Sequence, residues 1–236
     1  MSGANYKFFA FAHYHERELI MNKKNDTIAL LGGTFDPIHF GHLRMGQEIL
    51  NLHHFTKIHF VPCYQPVHRQ TPVTSPSMRL EMLRLAIADE PRFVADDREI
   101  KRESPSYTVD TLLSLREEMP STGFCLLIGI DAFLEYLTWR EPHRILTLSN
   151  IIVTHRPNYN LPNSGSLIDF LQQHQIHDAA ELQHREAGCI FFQPITPLDI
   201  SARSIRNDIA TQRSPRYLLP DDVYHYIQQN QLYLSK

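Results

Sequence analysis

Two histidines, His39 and His42, lie three residues apart at the end of a glycine-containing segment. An apolar run over 28–31 precedes this segment, and a helical pattern over 43–52 follows it. If the two histidines already have helical geometry, both imidazoles project from one face of the first turn. Imidazoles at a helix N-terminus can donate hydrogen bonds to phosphate oxygens, which the helix dipole also attracts. The spacing therefore predicts chemistry on a nucleotide phosphate.

The glycines around the histidines allow a close approach of the backbone to a ligand. Gly32 and Gly33 follow the apolar run, and Gly41 lies between the two histidines. Without a Cβ, these positions leave room for a phosphate beside the free N–H groups of the helix N-terminus. The segment has neither the G-x-x-x-x-G-K-[ST] pattern of a P-loop nor the G-x-G-x-x-G pattern of a dinucleotide fold. It predicts a phosphate site of another kind.

Alternating strand and helix patterns are the elements that must position this site. Strands are predicted over 27–32, 57–62, 92–100, 124–128, 150–154 and 188–192. Helices are predicted over 41–53, 77–89, 108–118, 166–175 and 220–230, the second with Ser77 as its N-cap. This alternation is typical of an α/β protein with a mostly parallel sheet, right-handed crossovers and helices on both faces. The ligand crevice is expected beyond the carboxyl ends of the strands.

Composition excludes several other classes of protein. A length of 236 residues suits one α/β core, and a formal net charge of −3 gives no global positive field for nucleic acid. No apolar run approaches the roughly 20 residues of a membrane span. The three cysteines lack C-x-x-C spacing, which disfavours a disulfide scaffold or a zinc site. We therefore expect a cytoplasmic protein without a nucleic-acid or membrane partner and without a protein-held metal.

The first 20 residues do not share the pattern of the rest. Their apolar stretch, 8–11, is too short for the apolar region of a secretory signal, and no small-residue cleavage site follows it. We expect residues 1–20 to be an N-terminal extension that is either disordered or not native to the protein. Residues 21–236 are expected to form a single domain. Its oligomeric state stays open.

The string G-G-T-F-D-P-I-H-F-G-H over 32–42 contains the H-x-G-H signature of nucleotidyltransferases. The whole string resembles that of nicotinate-nucleotide adenylyltransferases. Pantetheine-phosphate adenylyltransferases, cytidylyltransferases and class I aminoacyl-tRNA synthetases share only the shorter signature. The resemblance implies a Rossmann-like nucleotidyltransferase fold, with a mostly parallel sheet, helices on both faces and a small C-terminal helical part.

Further motifs resemble the same family and follow its order along the chain. They are P-V-H-R over 66–69, S-Y-T-V-D-T-L over 106–112, G-I-D over 129–131, Trp139, R-P over 156–157 and I-S-A-R-S-I-R over 200–206. Together they extend the resemblance from Thr27 to Tyr233. Two positions depart from the family pattern: Val67 stands where a second proline is usual, and Arg203 stands where threonine is usual.

The resemblance implies a role for each matching residue. His42 is expected to contact the α-phosphate of ATP, and His39 to hold the triphosphate or orient its neighbour. The residues implied to bind ATP are Gly32, Gly33, Thr34, Phe35, Gly129, Asp131, Arg156, Ser201 and Arg206. The residues implied to hold the mononucleotide are Tyr107, Thr108, Trp139, His68 and Arg69. Asp36 either binds a metal ion or fixes its turn.

The implied reaction joins ATP and nicotinate mononucleotide to give nicotinate adenine dinucleotide (deamido-NAD) and pyrophosphate. The attacking phosphate is already anionic, so no protein nucleophile is required, and Mg²⁺ arrives with ATP. An adenylyltransferase that prefers nicotinamide mononucleotide or another phosphate acceptor is one alternative. A non-catalytic nucleotide-binding protein on the same fold is another. A tRNA synthetase is disfavoured because the chain is short and has no anticodon-binding domain.

Overall fold

The computed structural model describes residues 27–67, 71–155, 161–196 and 198–234. The predicted extension over 1–20 lies outside the described residues, as do three predicted site residues, His68, Arg69 and Arg156. Their roles stay predictions.

Seven strands within the described residues form one parallel sheet, in the order β4-β2-β1-β6-β7-β9-β8. They are β1 (Thr27–Gly33), β2 (Lys57–Pro62), β4 (Phe93–Ala95), β6 (Gly123–Gly129), β7 (Asn150–His155), β8 (Gln175–Ile176) and β9 (Ile190–Pro194). A second, two-stranded parallel sheet pairs β3 (Gln65–Pro66) with β5 (Pro105–Ser106). The predicted α/β class and parallel sheet are confirmed.

The helices follow the strands as the alternation predicted. They are α1 (Phe40–Leu52), α2 (Pro76–Ala86), α3 (Arg98–Arg102), α4 (Thr108–Glu118), α5 (Ile130–Leu134), α6 (Pro142–Leu148), α7 (Ser166–His174), α8 (Glu181–His184), α9 (Ala202–Ala210) and α10 (Asp221–Gln229). A short 3₁₀ turn spans Tyr136–Thr138. Among the described residues, no helix is long and apolar enough to cross a membrane.

Both faces of the sheet are covered, because successive residues of a strand point to opposite sides. Ala29 and Leu31 of β1 pack in one core, which also takes buried residues from α1, α2, α9 and α10. Ile28 and Leu30 pack in the other, with residues from α4, α6 and α7. The strands are near-continuous apolar runs, as expected for parallel strands that are buried on both faces.

The order of the strands reverses at β1. The chain runs outward from β1 to β2 and β4, and then returns to β6 on the other side of β1. Ile28 to Leu31 lie in register with Phe124 to Leu127, so the two strands end side by side. Ligands of open α/β sheets bind at such a switch point, beyond the carboxyl ends of the strands. The glycine turn with the two histidines follows β1 at this place.

Two local predictions were wrong, and several short elements were not predicted. The N-cap of α2 is Ser75, whose Oγ accepts from Met78 N; Pro76 then occupies the first turn, where its missing N–H costs nothing. The strand predicted over 92–100 ends at Ala95 and gives way to α3. The helices within 130–148 and the short strands β3, β5 and β8 were not predicted, because such short elements carry little periodic pattern.

Candidate active site

The turn after β1 is built around a buried carboxylate, Asp36. One of its oxygens accepts from Val73 N at 2.8 Å, and the other accepts from Thr74 Oγ1 at 2.6 Å and Tyr233 OH at 2.7 Å. The peptide bond from Asp36 to Pro37 is cis. Three donors from two distant parts of the chain therefore hold the carboxylate. These contacts favour the turn-fixing role over metal binding.

Phe35 and Gly33 form a tight packing unit under the turn. Phe35 has a φ of +50° and its side chain is buried. A Cβ on Gly33 would come within 2.8 Å of Cε1 of that ring, so the turn requires glycine at this position. The Phe35 ring also packs edge-on against His42, with ring centroids 5.1 Å apart. Because the side chain is buried, any contact of Phe35 with ATP would come from its main chain.

The two histidines form a stacked pair. Their ring centroids are 3.8 Å apart and the ring planes differ by 25°. The sequence analysis considered helical geometry for both histidines. In the structure His39 is instead the N-cap of α1, with an extended φ of −152°. A Cβ on Gly41 would lie 3.0 Å from the His39 ring, so glycine between the histidines makes room for the stack. The two rings therefore share a face as expected, but His39 has an extended rather than a helical backbone.

Burial keeps His39 neutral. The residue is 5% exposed, and its buried Nδ1 has no hydrogen-bond partner among the described residues. Desolvation by burial lowers the pKa of His39 to about 4. Two imidazolium rings at stacking distance would also repel each other. His39 is therefore a neutral partner at pH 7.

This depressed pKa predicts a pH dependence of stability. The unfolded His39 titrates near pH 6.5, so between about pH 6.5 and 4 the unfolded state binds one more proton than the fold. The free energy of unfolding should therefore fall by roughly 3 kcal/mol on acidification through this window, and this contribution should be constant above it. We expect urea unfolding between pH 7.5 and 4.5 to show that the free energy of unfolding depends less on pH in His39→Gln than in the wild type. The exposed His54, changed to Gln, is the control; equal slopes in the wild type and His39→Gln would contradict this role of burial.

A second helix N-terminus lies against the first. Ser201 is the N-cap of α9, and its Oγ accepts from Ser204 N at 3.1 Å. Arg206 Nη1 donates to the main-chain oxygen of Asp36 at 2.6 Å. A Cβ on Gly41 would be 3.7 Å from the main-chain oxygen of Ile200, just before α9. Two sets of helix N–H groups and a guanidinium therefore converge on the turn, an arrangement that can bind the oxygens of an oligophosphate.

Two buried residues that hold the site were missed by the sequence analysis. Arg79 of α2 is fully buried and donates to the main-chain oxygens of Thr34 at 2.7 Å and Cys63 at 2.6 Å, which joins the ends of β1 and β2. Glu48 of α1 accepts from Thr196 N at 2.8 Å, on the segment that leads to α9. Neither belongs to a motif, and their partners are distant main-chain groups, so nothing in the sequence pattern marked them.

The predicted mononucleotide residues come together at a second part of the site. Tyr107, Thr108 and Trp139 line one cavity of about 90 Å³. The other lining residues are Val67, Ser106, Arg140 and Ile145. This volume is well below the roughly 300–1,000 Å³ of pockets that enclose whole ligands, so the cavity suits a single ring.

Hydrogen bonds of residues next to the cavity hold its lining in place. Ser106 Oγ accepts from Tyr64 N at 2.9 Å, next to the pairing of β3 with β5. Thr111 Oγ1 donates at 2.5 Å to Glu99, a buried carboxyl whose pKa is raised by that burial. These contacts fix the start of α4, where Tyr107 is the N-cap and Thr108 is the first helical residue.

Gly129 and Asp131 lie at the carboxyl end of β6, beside the end of β1. Gly129 is the N-cap of α5, and Asp131 is exposed in its first turn. A Cβ on Gly129 would meet no atom within 4 Å, so the space above this strand end is open. The placement fits the predicted contact with ATP.

A larger cavity of about 550 Å³ lies elsewhere, lined mostly by polar residues between 173 and 188. It borders β8, the edge strand of the sheet, far from the switch point in strand order. No predicted motif contributes to it. The stacked histidines and the two helix N-termini lie at the switch point instead.

A parallel α/β sheet with an H-x-G-H turn at its switch point, facing a second helix N-terminus, defines a nucleotidyltransferase of the H-x-G-H class. Comparison with known proteins agrees. The Cytidylyltransferase-like family model matches residues 30–208. The chain is 44% identical to a probable nicotinate-nucleotide adenylyltransferase of Halorhodospira halophila, covering 84% of this chain and 90% of that protein. A protein of the same name from Acidithiobacillus ferrooxidans is 42% identical, covering 89% and 97% of the two chains.

The chain belongs to the nicotinate-nucleotide adenylyltransferase family. Among solved structures, it is similar to the Plasmodium falciparum nicotinic acid mononucleotide adenylyltransferase complexed with NaAD, with a TM-score of 0.68. That likeness covers 88% of this chain and 97% of the other at 19% identity, so it bears on the fold alone. It confirms the predicted nucleotidyltransferase fold.

Proposed function

We propose that the chain transfers the adenylyl group of ATP to nicotinate mononucleotide, giving nicotinate adenine dinucleotide and pyrophosphate. The observation that carries the proposal is the convergence of the His39–His42 stack and two helix N-termini at the switch point. The ring-sized cavity beside Trp139 supports a pyridine mononucleotide as the acceptor. The names of the relatives favour the acid form of that acceptor.

In the proposed reaction the 5′-phosphate oxygen of the mononucleotide attacks the α-phosphorus of ATP in line. A new P–O bond forms as the bond from the α-phosphorus to the bridging oxygen breaks, and pyrophosphate leaves with that electron pair. No proton transfer is needed, because the attacking oxygen is already anionic. Catalysis then consists of positioning and of stabilising charge on the transferring group.

Each element of the turn has a part in this chemistry. His42 donates a hydrogen bond to the α-phosphate. The neutral, buried ring of His39 stacks on the His42 ring and fixes its orientation. The main chain of Gly32, Gly33 and Thr34 seats the phosphates. Ser201 and Arg206 belong to the helix end that holds the leaving pyrophosphate.

A divalent cation fits this site as a companion of ATP. No group of three His, Cys, Asp or Glu side chains in the described part of the chain is placed to hold a metal ion. Mg²⁺ keeps several waters and is often bound mainly through substrate phosphates. When bound, it would neutralise charge on the triphosphate, held by phosphate oxygens rather than by Asp36. Its identity as Mg²⁺ and a cytoplasmic location stay predictions.

The proposal is tested by pyrophosphate release from Mg-ATP, with nicotinate mononucleotide and nicotinamide mononucleotide in parallel. We expect strong preference for the acid, with a dinucleotide product identified by mass. Faster pyrophosphate release with the amide would mean that nicotinamide mononucleotide is the preferred acceptor in the same mechanism. No release with either would indicate a different acceptor or a nucleotide-binding protein without this activity; a reaction without a mononucleotide is the blank.

A further inference from the structure

We propose that the side chain of Arg140 recognises the carboxylate of the nicotinate ring and sets the preference for the acid over the amide mononucleotide. This inference rests on the proposed function and deepens it, because it names the side chain that decides between two acceptors. The two acceptors differ only in one ring substituent: a carboxylate carries a negative charge at pH 7, and a carboxamide is neutral.

Arg140 is the charged side chain among the described residues that line the ring-sized cavity. Of the described residues that line it, Arg140 alone is ionised at pH 7; the others are apolar, aromatic or hydroxyl side chains. Trp139 and Tyr107 supply aromatic faces for a pyridine ring. A pyridine ring held in this cavity would lie beside Arg140, so a negatively charged substituent on the ring has a cationic partner in the cavity wall.

Neighbouring residues hold the guanidinium of Arg140 in place before any ligand arrives. Its Cζ lies 4.7 Å from the centroid of the Tyr107 ring. Its Nη1 lies 3.3 Å from Asp110 Oδ2, and its Nε lies 3.8 Å from Glu141 Oε1. Stacking on an aromatic face fixes the plane of the guanidinium, which lowers the entropy cost of a later ion pair.

The two carboxylates near Arg140 leave it able to take another partner. Both contacts are longer than the 2.7–3.2 Å typical of a good N–H···O bond, and both carboxylates are partly exposed. Among the described residues, Nη1 alone of its nitrogens makes a hydrogen bond. The remaining N–H groups can form a forked pair with a substrate carboxylate, a geometry that lysine cannot reproduce.

The chain provides a matched control four residues away. Arg144 also pairs with Glu141, at 3.6 Å, and its side chain is 55% exposed, compared with 49% for Arg140. It does not line the cavity. Arg140→Gln and Arg144→Gln therefore remove the same charge from the same neighbourhood, and only the first removes it from the cavity.

The test uses binding as well as turnover. Trp139 is the only tryptophan of the chain, so quenching of intrinsic fluorescence reports on ligands of this cavity without ATP. Nicotinate and nicotinamide mononucleotides are titrated into the wild type, Arg140→Gln, Arg140→Lys and Arg144→Gln. Pyrophosphate release then gives kcat/KM for both acceptors with each variant.

We expect Arg140→Gln to weaken binding of the acid about tenfold, the lower range for a charged hydrogen bond at a half-exposed site, while binding of the amide changes little. In turnover, the loss for the acid should lie in KM rather than in kcat. Arg140→Lys should retain part of the acid binding that Arg140→Gln loses. Arg144→Gln should keep the ratio of acid affinity to amide affinity within about twofold of the wild type.

Three results would overturn the inference: equal binding of acid and amide by the wild type, an unchanged ratio in Arg140→Gln, or an equal loss of both ligands in that variant. The last would mean that Arg140 only supports the Tyr107 ring. A selective loss of acid binding in Arg140→Gln, without pyrophosphate release by the wild type, would support this inference while the proposed function fails.

Discussion

Replacing His42 by alanine is expected to lower the turnover number about 10²-fold or more, as for the loss of one preorganised donor to developing charge. The His42 ring lies between the stacked His39 and the edge of Phe35, so it is held in one orientation. The donor therefore does not need to reorganise when charge develops on the α-phosphate. KM for either substrate should change much less than kcat, because the interaction strengthens in the transition state.

The measurement is steady-state pyrophosphate release at saturating ATP and mononucleotide. His54→Ala is the control, because His54 is an exposed histidine just after the opposite end of α1. We expect this control to match the wild type in both kcat and KM. A near-normal turnover number in His42→Ala would contradict the role assigned to His42, whatever the control shows.

The strands and the first motif could be predicted from sequence because their signals are local. Parallel strands buried on both faces are runs of apolar residues, and β1, β2 and α4 begin as predicted. The glycines, the two histidines and the following helix lie within one segment of the chain. Their proximity in space therefore follows from their proximity in sequence.

The supports of the site could not be predicted because their partners are distant in the chain. Arg79 lies on a helix whose apolar stripe gives no reason to bury a guanidinium, and its acceptors are main-chain oxygens of Thr34 and Cys63. Glu48 likewise reaches Thr196, 148 positions further on. A main-chain acceptor or donor leaves no residue-type signal, so only the folded structure shows these contacts.

The histidine pair shows a subtler difference. Helical spacing predicted that the rings of His39 and His42 share a face, and the rings do stack. His39 reaches the stack from an extended N-cap, however, with the small Gly41 leaving room for its ring. The residue types were sufficient to place the pair at one site, but not to give the backbone that forms it.

Asp36→Ala is expected to lower the free energy of unfolding by roughly 3–5 kcal/mol, because three donors would lose their acceptor in a buried place. The donors are Val73 N, Thr74 Oγ1 and Tyr233 OH, so the carboxylate joins the turn to the segment before α2 and to the C-terminal part of the chain. Urea unfolding at pH 7.5 measures the change.

The variant Tyr233→Phe distinguishes the loss of one hydrogen bond to Asp36 from the loss of the whole carboxylate. It removes one hydroxyl donor and leaves the other two contacts, so we expect a loss of about 1–2 kcal/mol. Asp36→Ala should also lower turnover at least tenfold at temperatures where it stays folded, because Arg206 bonds to the main-chain oxygen of the same residue. Tyr233→Phe should retain most of the activity. If Asp36→Ala were as stable as Tyr233→Phe, the carboxylate would not be the common anchor, and the convergence of the two helix N-termini would need another cause.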